Sequence, residues 1–412
     1  MTTYRIPQHG QGSGVTEEDL AAVTAVLTSG GHLSDGAEVA RFEEEFARRT
    51  GAAHAVAVSS CTMALELATR VLELEPGDEV VTTPLTFQAT AAPLLGRDVT
   101  VRFADIDETT LCLDPASAAD ALTPRTRAVF TTHYGGLCGG VEELRALTER
   151  AGVALVEDCA HAIGASAGGR SAGTWGDIGC WSFHSLKNIS TLGQGGMLTV
   201  RDAGVADRLR ALRAINPDAE FVRRGKPLEF GRYGTGTPPR PVTHEKNAYT
   251  HDCARIRSGG LNAQLADPAA AMGRSQLRRL DSLIARRHAV AERLDAGLRE
   301  LGVQVLETPE GYAHAHHLYA FLLRDEEIDR DELVRDLERE GIEVVLRYFP
   351  VHLLPEWRRR GGVFGSVPVA EDVWFRRLVN LPLSPQLGLH DADYVVEAVG
   401  RALARQRVEA VA

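Results

Sequence analysis

The spacing of apolar positions predicts two helices behind a polar start. TEEDLAAVTAVLTS (16–29) has helical spacing, a threonine placed to cap it and carboxylates in its first turn. GAEVARFEEEFARRTG (36–51) sets Val39, Phe42 and Phe46 on one side, with Gly51 as its stop. From residue 54 short apolar runs alternate with helical patterns. HAVAVSS leads into CTMALELATRVL, DEVVTTP precedes TFQATAAPLL, and VTVRFADI follows. RAVFTTHY then leads to a helix around GVEELRALTERAG, and VALVEDCA, GDIGCWSFH and GGMLTV complete the series. Apolar strands separated by helices predict an α/β region with a largely parallel sheet covered on both faces.

Residues 216–260 break this rhythm. They are rich in Gly, Pro and charge, with Phe221, Phe230, Tyr233 and Tyr249 available for packing. A loop of this length inside a compact domain is more often functional than idle. Helical spacing returns at NAQLADPAAAMGRSQLRRLDSLIARRHAVAERLDAGLREL, where Pro268 must start or kink a helix. HHLYAFLLR, DRDELVRDLEREGIEVVLRYFP and DADYVVEAVGRALARQRVEA then mix strand and helix patterns. The expected division is a large domain at 1–280, including the irregular insertion at 216–260, and a smaller α+β domain at 281–412.

Composition narrows the function. The chain has 412 residues and a formal net charge of -11, so it has no general attraction to nucleic acid or anionic membrane. The arginine clusters RRGK (223–226) and WRRRGG (357–362) read as solvated surface or as contacts for a small anion. No window approaches the roughly 20 apolar residues of a membrane span, and the first residues lack a secretory pattern. Cys61, Cys112, Cys138, Cys159, Cys180 and Cys253 are scattered without a CxxC pair, which fits buried thiols in a cytoplasmic protein. There is no GxGxxG, no GxxxxGK[ST], no HExxH and no close Cys/His set, so neither a dinucleotide site nor a metal site has support.

Four local patterns carry candidate chemistry, and each has a plainer reading. Glu157 and Asp158 end a very apolar strand, where open α/β sheets place ligands, but an aspartate before small residues can also cap a helix. Ser59, Ser60 and Thr62 sit where a strand meets an amphipathic helix. That junction is a ready anion site, or simple N-capping by Ser60. Phe87 follows a strand among small polar residues, to stack on a flat ligand or to fill the core. Lys187, in WSFHSLKNISTLGQGGM, is either a surface charge or a confined amine whose neutral form serves as a nucleophile.

The order of these segments resembles the DegT/DnrJ/EryC1/StrS family of pyridoxal 5'-phosphate (PLP)-dependent aminotransferases, over nearly the whole chain. The resemblance implies fold type I, with a mostly parallel seven-stranded sheet in the large domain. Ser60-Cys61-Thr62 matches the family's phosphate-binding turn, Phe87 the ring that stacks on the pyridine, and EDCAHAIGA supplies Asp158 and His161. Ser182, Lys187, Asn188 and glycines 193, 195 and 196 match the lysine motif, and GLNAQLADPAAAMGRSQLRRL places Asn262 to reach the phosphate in the other subunit. By this resemblance Lys187 holds PLP covalently and, once freed, moves a proton between substrate Cα and cofactor C4′. Ionised Asp158 pairs with the pyridine nitrogen, His161 sits near the ring or its 3′ oxygen, and Ser182 and Thr62 help hold the phosphate.

The implied activity is amino transfer from glutamate or glutamine to a keto group on a sugar, nucleotide-linked sugar or cyclitol. The implied assembly is a homodimer with shared sites. A lysine at 187 speaks against the family's deoxygenating branch, which has histidine there. Elimination by a lyase or dehydratase, or a catalytically silent partner protein, remain the alternatives. Cys61 replaces the usual glycine of the phosphate turn, Gln194 the usual glutamate of GEGG, and Gln264 an arginine found in many members. The long 216–250 segment suggests a role in shaping the substrate pocket or the dimer interface.

Overall fold

The computed structural model describes residues 4–8, 12–34, 36–214, 220–221, 253–255 and 259–411. The irregular insertion expected at 216–260, with its RRGK cluster, therefore lies almost wholly outside the described residues. Both N-terminal helices form. In α1 (Glu17–Thr28), Thr16 and Asp19 make a reciprocal capping box. In α2 (Ala37–Thr50), Val39, Phe42 and Phe46 are buried, and Gly51 ends the helix at φ 75.

The large domain is built on seven strands: β1 (His54–Val58), β2 (Glu79–Thr82), β3 (Thr100–Phe103), β4 (Thr126–Thr132), β5 (Ala154–Asp158), β6 (Ile178–Ser182) and β7 (Gly196–Val200). Their order is β1-β7-β6-β5-β4-β2-β3. Only β7 runs against its neighbours; β6, β5, β4, β2 and β3 pair in parallel. The strands read as continuous apolar runs because both faces are covered. Successive residues of β1 divide accordingly. Ala55 and Ala57 pack with Phe42, Phe46 and Trp181 on one face. Val56 and Val58 pack on the other with α3 (Cys61–Val71), which follows β1, and α5 (Ala203–Arg213). The expected helix around GVEELRALTERAG is α4 (Val141–Ala151), which adds Leu144 to the face of Leu155 and Val129.

Pro268 starts a helix and does not kink one, lying in the first turn of α6 (Asp267–Arg278). The next helix, α7 (Leu280–Glu300), serves two cores. Its Leu280 and Leu283 join the large-domain cluster, while Val290, Leu294 and Leu298 join that of the smaller domain. The smaller α+β domain has an antiparallel sheet of β8 (Gln304–Val305), β9 (Tyr319–Leu322) and β10 (Leu378–Leu381). It packs with α8 (Arg330–Arg339) and α9 (Leu389–Val411). The N-terminal segment crosses to this domain, where Ile6 pairs with Ile342.

One cation ties the segments together. Arg287 on α7 is buried and donates to the carbonyls of Gly12 (2.6 Å), His316 (3.1 Å) and Leu383 (3.2 Å). Gly12 lies so close to the Lys187 loop that a Cβ there would stand 2.2 Å from the Lys187 carbonyl oxygen. Five of the six cysteines are buried free thiols, and the side chain of Cys253 is outside the described residues. Among the described residues no helix is long and apolar enough to cross a membrane.

Candidate active site

A cavity of about 540 Å³ opens at the carboxyl ends of the parallel strands, where open α/β sheets bind ligands. Eight of the nine residues expected at the site line it: Ser60, Cys61, Thr62, Phe87, Asp158, His161, Ser182 and Lys187. The ninth, Asn262, does not line the cavity of its own chain. It stands exposed, with its backbone in the left-handed region at φ 49.

Each part follows from its element. Ser60 caps α3 by accepting from the Met63 N–H at 3.2 Å and also lines the cavity, so capping does not take the turn away from the site. The first N–H groups of α3 have no partner one turn back and supply positive partial charge at this end. Gly196 abuts the same turn; a Cβ on it would lie 2.5 Å from the Ser60 carbonyl carbon and 2.7 Å from the Cys61 nitrogen. Phe87 is 52% exposed, so its ring is not core.

The two acids that end β5 separate by strand alternation. Glu157 is buried away from the cavity and saturated, accepting from Gly173 N–H (2.8 Å) and Gly176 N–H (2.5 Å) and facing His133 Nε2 at 2.8 Å. Asp158 lines the cavity. No helix follows it, which removes the helix-capping alternative; instead its Oδ1 accepts from Ala160 N–H at 3.0 Å. Its Oδ2 receives the Thr90 hydroxyl at 2.6 Å. Burial raises the Asp158 pKa above the usual carboxylate value, opposed by the Thr90 and Ala160 hydrogen bonds and the charges of Lys187 and His133.

Lys187 sits in the cavity, not on the outer surface. Its Nζ is 3.4 Å from His317 Nε2, and Asn188 fixes that ring by facing His317 Nδ1 at 3.3 Å while donating to the Ala315 carbonyl at 2.8 Å. Desolvation pulls the Lys187 amine down to about 8, with Asp158 and Cys61 opposing and Arg347 reinforcing the shift. His161 faces Tyr348 Oη at 3.1 Å and packs on His317 at 4.4 Å between ring centroids. Burial holds both histidines well below their ordinary pKa, hence neutral, and the nearby Lys187 charge adds to it.

Several lining residues escaped the sequence reading. Thr86 and Thr132 line the cavity and, through Thr90 behind them, form a buried hydroxyl chain to Asp158, while Arg347 and Tyr348 arrive from the smaller domain. RYFP was visible only as part of a strand-like apolar run. Apart from the bridge at Ile342, residues 341–350 have no regular strand, because the segment turns toward the cavity. His317 was visible as half of a His-His pair, without any signal for its direction.

Comparison with known proteins places this geometry. The model of the DegT/DnrJ/EryC1/StrS aminotransferase family matches residues 14–400. The spore coat polysaccharide biosynthesis protein SpsC of Bacillus subtilis (strain 168) is 35% identical over 390 residues, covering 93% of this chain and 94% of that protein. The aminotransferase TlmJ of Streptoalloteichus hindustanus superposes with a TM-score of 0.83 at 32% identity, covering 97% of this chain and 99% of its own. DesV of S. venezuelae, solved in complex with a ketimine intermediate, gives 0.78 at 33% identity over 93% and 94% of the two chains. The chain belongs to the DegT/DnrJ/EryC1/StrS aminotransferase family, has the type I fold and is an enzyme of the PLP-dependent aminotransferase class.

Proposed function

We propose that this enzyme uses PLP, held covalently by Lys187, to move an amino group from glutamate or glutamine to a keto group on a sugar, nucleotide-linked sugar or cyclitol. One observation carries the reading. A single cavity holds a desolvated lysine, a buried acid and the start of a helix, and these three fit the aldehyde, ring nitrogen and phosphate of PLP.

Bound PLP supplies an electron sink for the pair released when the substrate Cα loses its proton. The protein's own residues do the rest. Lys187 Nζ, whose pKa burial lowers to about 8, keeps a far larger neutral fraction at physiological pH than an exposed lysine; that fraction would act as the nucleophile, and the same amine would accept and return the Cα proton. Asp158, kept available as an anion by the Thr90 and Ala160 hydrogen bonds, would hold a proton on the ring nitrogen. Ser60, Thr62, Ser182 and the N–H groups opening α3 would hold the phosphate, and the exposed Phe87 ring would offer its face to the cofactor. His161, neutral and fixed by Tyr348, positions the ring edge. The domains at 1–280 and 281–412 would meet here, the second closing the site with Arg347 and Tyr348. In a homodimer, Asn262 would complete the partner's phosphate site.

The test is spectroscopic first. Purified protein with PLP should show a visible band that borohydride abolishes and that Lys187→Ala lacks. Glutamate or glutamine should then bleach it, and a keto-sugar or keto-cyclitol from a panel should restore it. No band in the wild type would end the reading. Elimination products without amine transfer would replace transamination by lyase chemistry.

A further inference from the structure

His317 is held at its backbone and at both ring nitrogens. Its backbone N–H donates to the Gly135 carbonyl at 2.8 Å, and the ring packs on His161 with centroids 4.4 Å apart. Nδ1 faces Asn188 Oδ1 at 3.3 Å. Nε2 faces Lys187 Nζ at 3.4 Å, the one hydrogen bond of that amine among the described residues. These partners assign the tautomer. Asn188 is buried, and its Nδ2 donates to the Ala315 carbonyl at 2.8 Å, which can only accept. The atom turned to the ring is therefore Oδ1, and an amide oxygen also only accepts. His317 must carry its hydrogen on Nδ1, which leaves the Nε2 lone pair aimed at Lys187. The ring is neutral, because burial and the nearby Lys187 charge hold its pKa well below the ordinary value. A carboxylate in place of the Asn188 amide would favour the imidazolium.

We propose that His317 is a positioning residue for Lys187, accepting a hydrogen from Nζ so that the lone pair of the amine stays free and turned away from the ring. The role rests on the aminotransferase reading above, in which that lone pair attacks the cofactor and takes the substrate Cα proton. A neutral amine has two hydrogens and one lone pair. A hydrogen on Nε2, from the other tautomer or from an imidazolium, would cap the lone pair and stop both tasks. An acceptor engages a hydrogen instead. Once Nζ holds the Cα proton as an ammonium, the same contact steadies it, and the low basicity of His317 keeps that proton on Nζ for return.

Competitive labelling of cofactor-free protein with trace acetic anhydride, read by mass spectrometry, follows the titration of Lys187 directly. Wild type should give a midpoint of about 8. His317→Phe keeps a buried ring and removes the acceptor, so the ammonium loses a partner. Its midpoint should fall, with Lys187 labelled about threefold or more faster than in wild type at pH 6. His317→Gln, whose side-chain oxygen accepts, should lie close to wild type. Asp158, Cys61 and Arg347, the other groups whose charges bear on Lys187, are the same in both variants, so a shift reads His317. An unchanged midpoint in His317→Phe would make the ring a space-filler, and a raised one would make it a cation; either overturns the proposal. If His317→Phe does not fold, the 15N ring signals of histidine-labelled wild type decide, assigned by their loss in His317→Gln. A hydrogen on Nδ1 supports the proposal, and one on Nε2 overturns it. In the loaded enzyme, His317→Phe should slow the limiting rate at which L-glutamate bleaches the visible band by about tenfold or more. The half-saturating concentration should stay within about twofold. A change confined to half-saturation would place His317 in donor binding and refute the assignment. Absence of the band from wild type would sink the aminotransferase reading instead, while the labelling still reports on His317.

Discussion

Thr90→Val isolates the electrostatics of Asp158. The Thr90 hydroxyl is fully buried and lies 2.6 Å from Asp158 Oδ2. With its proton given to the acid, Thr90 must accept from Thr86 at 2.7 Å, and Thr86 in turn from Thr132 at 2.9 Å. Valine keeps the shape and removes the donor, so packing changes little. A hydrogen bond to a charged group contributes about 1.5–3 kcal/mol, so losing it would raise the Asp158 pKa further.

The sign is then fixed. Burial already raises this pKa above its unfolded value, so the cofactor-free fold holds the proton more readily than the unfolded chain and loses stability as pH rises between the two values. Thr90→Val widens that window. Urea unfolding of the cofactor-free variant should show a deficit of about 1.5–3 kcal/mol at pH 8 and a clearly smaller one at pH 5, where the acid is more protonated. PLP affinity should fall roughly 10- to 100-fold at neutral pH and fall further as acidification protonates Asp158. A deficit of equal size at both pH values, with cofactor binding unmoved, would mean that Thr90 only fills space.

Two further outcomes follow from the cavity. Because the Lys187 amine titrates at about 8, its capture of PLP in cofactor-free protein should speed up about tenfold per pH unit below that value and level off above it; a stopped-flow rate still climbing through pH 10 would place the amine in water. Gly196→Ala would drive a Cβ into the backbone of Ser60 and Cys61, so PLP affinity should drop about tenfold or more with a stability loss of about 1–3 kcal/mol. Gly96→Ala, where a Cβ meets nothing within 4 Å, should leave both unchanged.

What could be read in the chain, and what could not, divides by range. The α/β rhythm was legible because period and burial are local: β1 divides its residues between two cores as its alternation implies. Lys187, Asp158 and the Ser60 turn were each ambiguous alone and became a set only through their order. The neighbours that tune them were beyond local reading. Thr90 reaches an acid 68 positions later, His317 meets a lysine 130 positions earlier, and Arg347 arrives from the other domain. Side chains with no periodic role leave no mark of their destination in sequence. Glu157 and Asp158 show the converse, since adjacent acids were equally good candidates until the pleat turned one inward to His133 and the other to the cavity.

In the proposed phosphate turn the thiol of Cys61 adds bulk but no charge. A thiol at the first residue of a helix is ordinarily acidified by the helix N-terminus. Here burial, with the neighbouring Asp158 charge adding to it, pushes the Cys61 pKa well above its usual value, so desolvation wins and the thiol stays neutral. A neutral group beside the turn brings no repulsion against a phosphate dianion, and the backbone N–H groups that matter are present whatever the side chain. Gly196, not Cys61, is the position whose lack of a side chain lets the strand approach the turn. The thiol therefore fills the first position of α3 without closing the proposed cradle, and the glycine required by geometry lies on β7, 135 residues away.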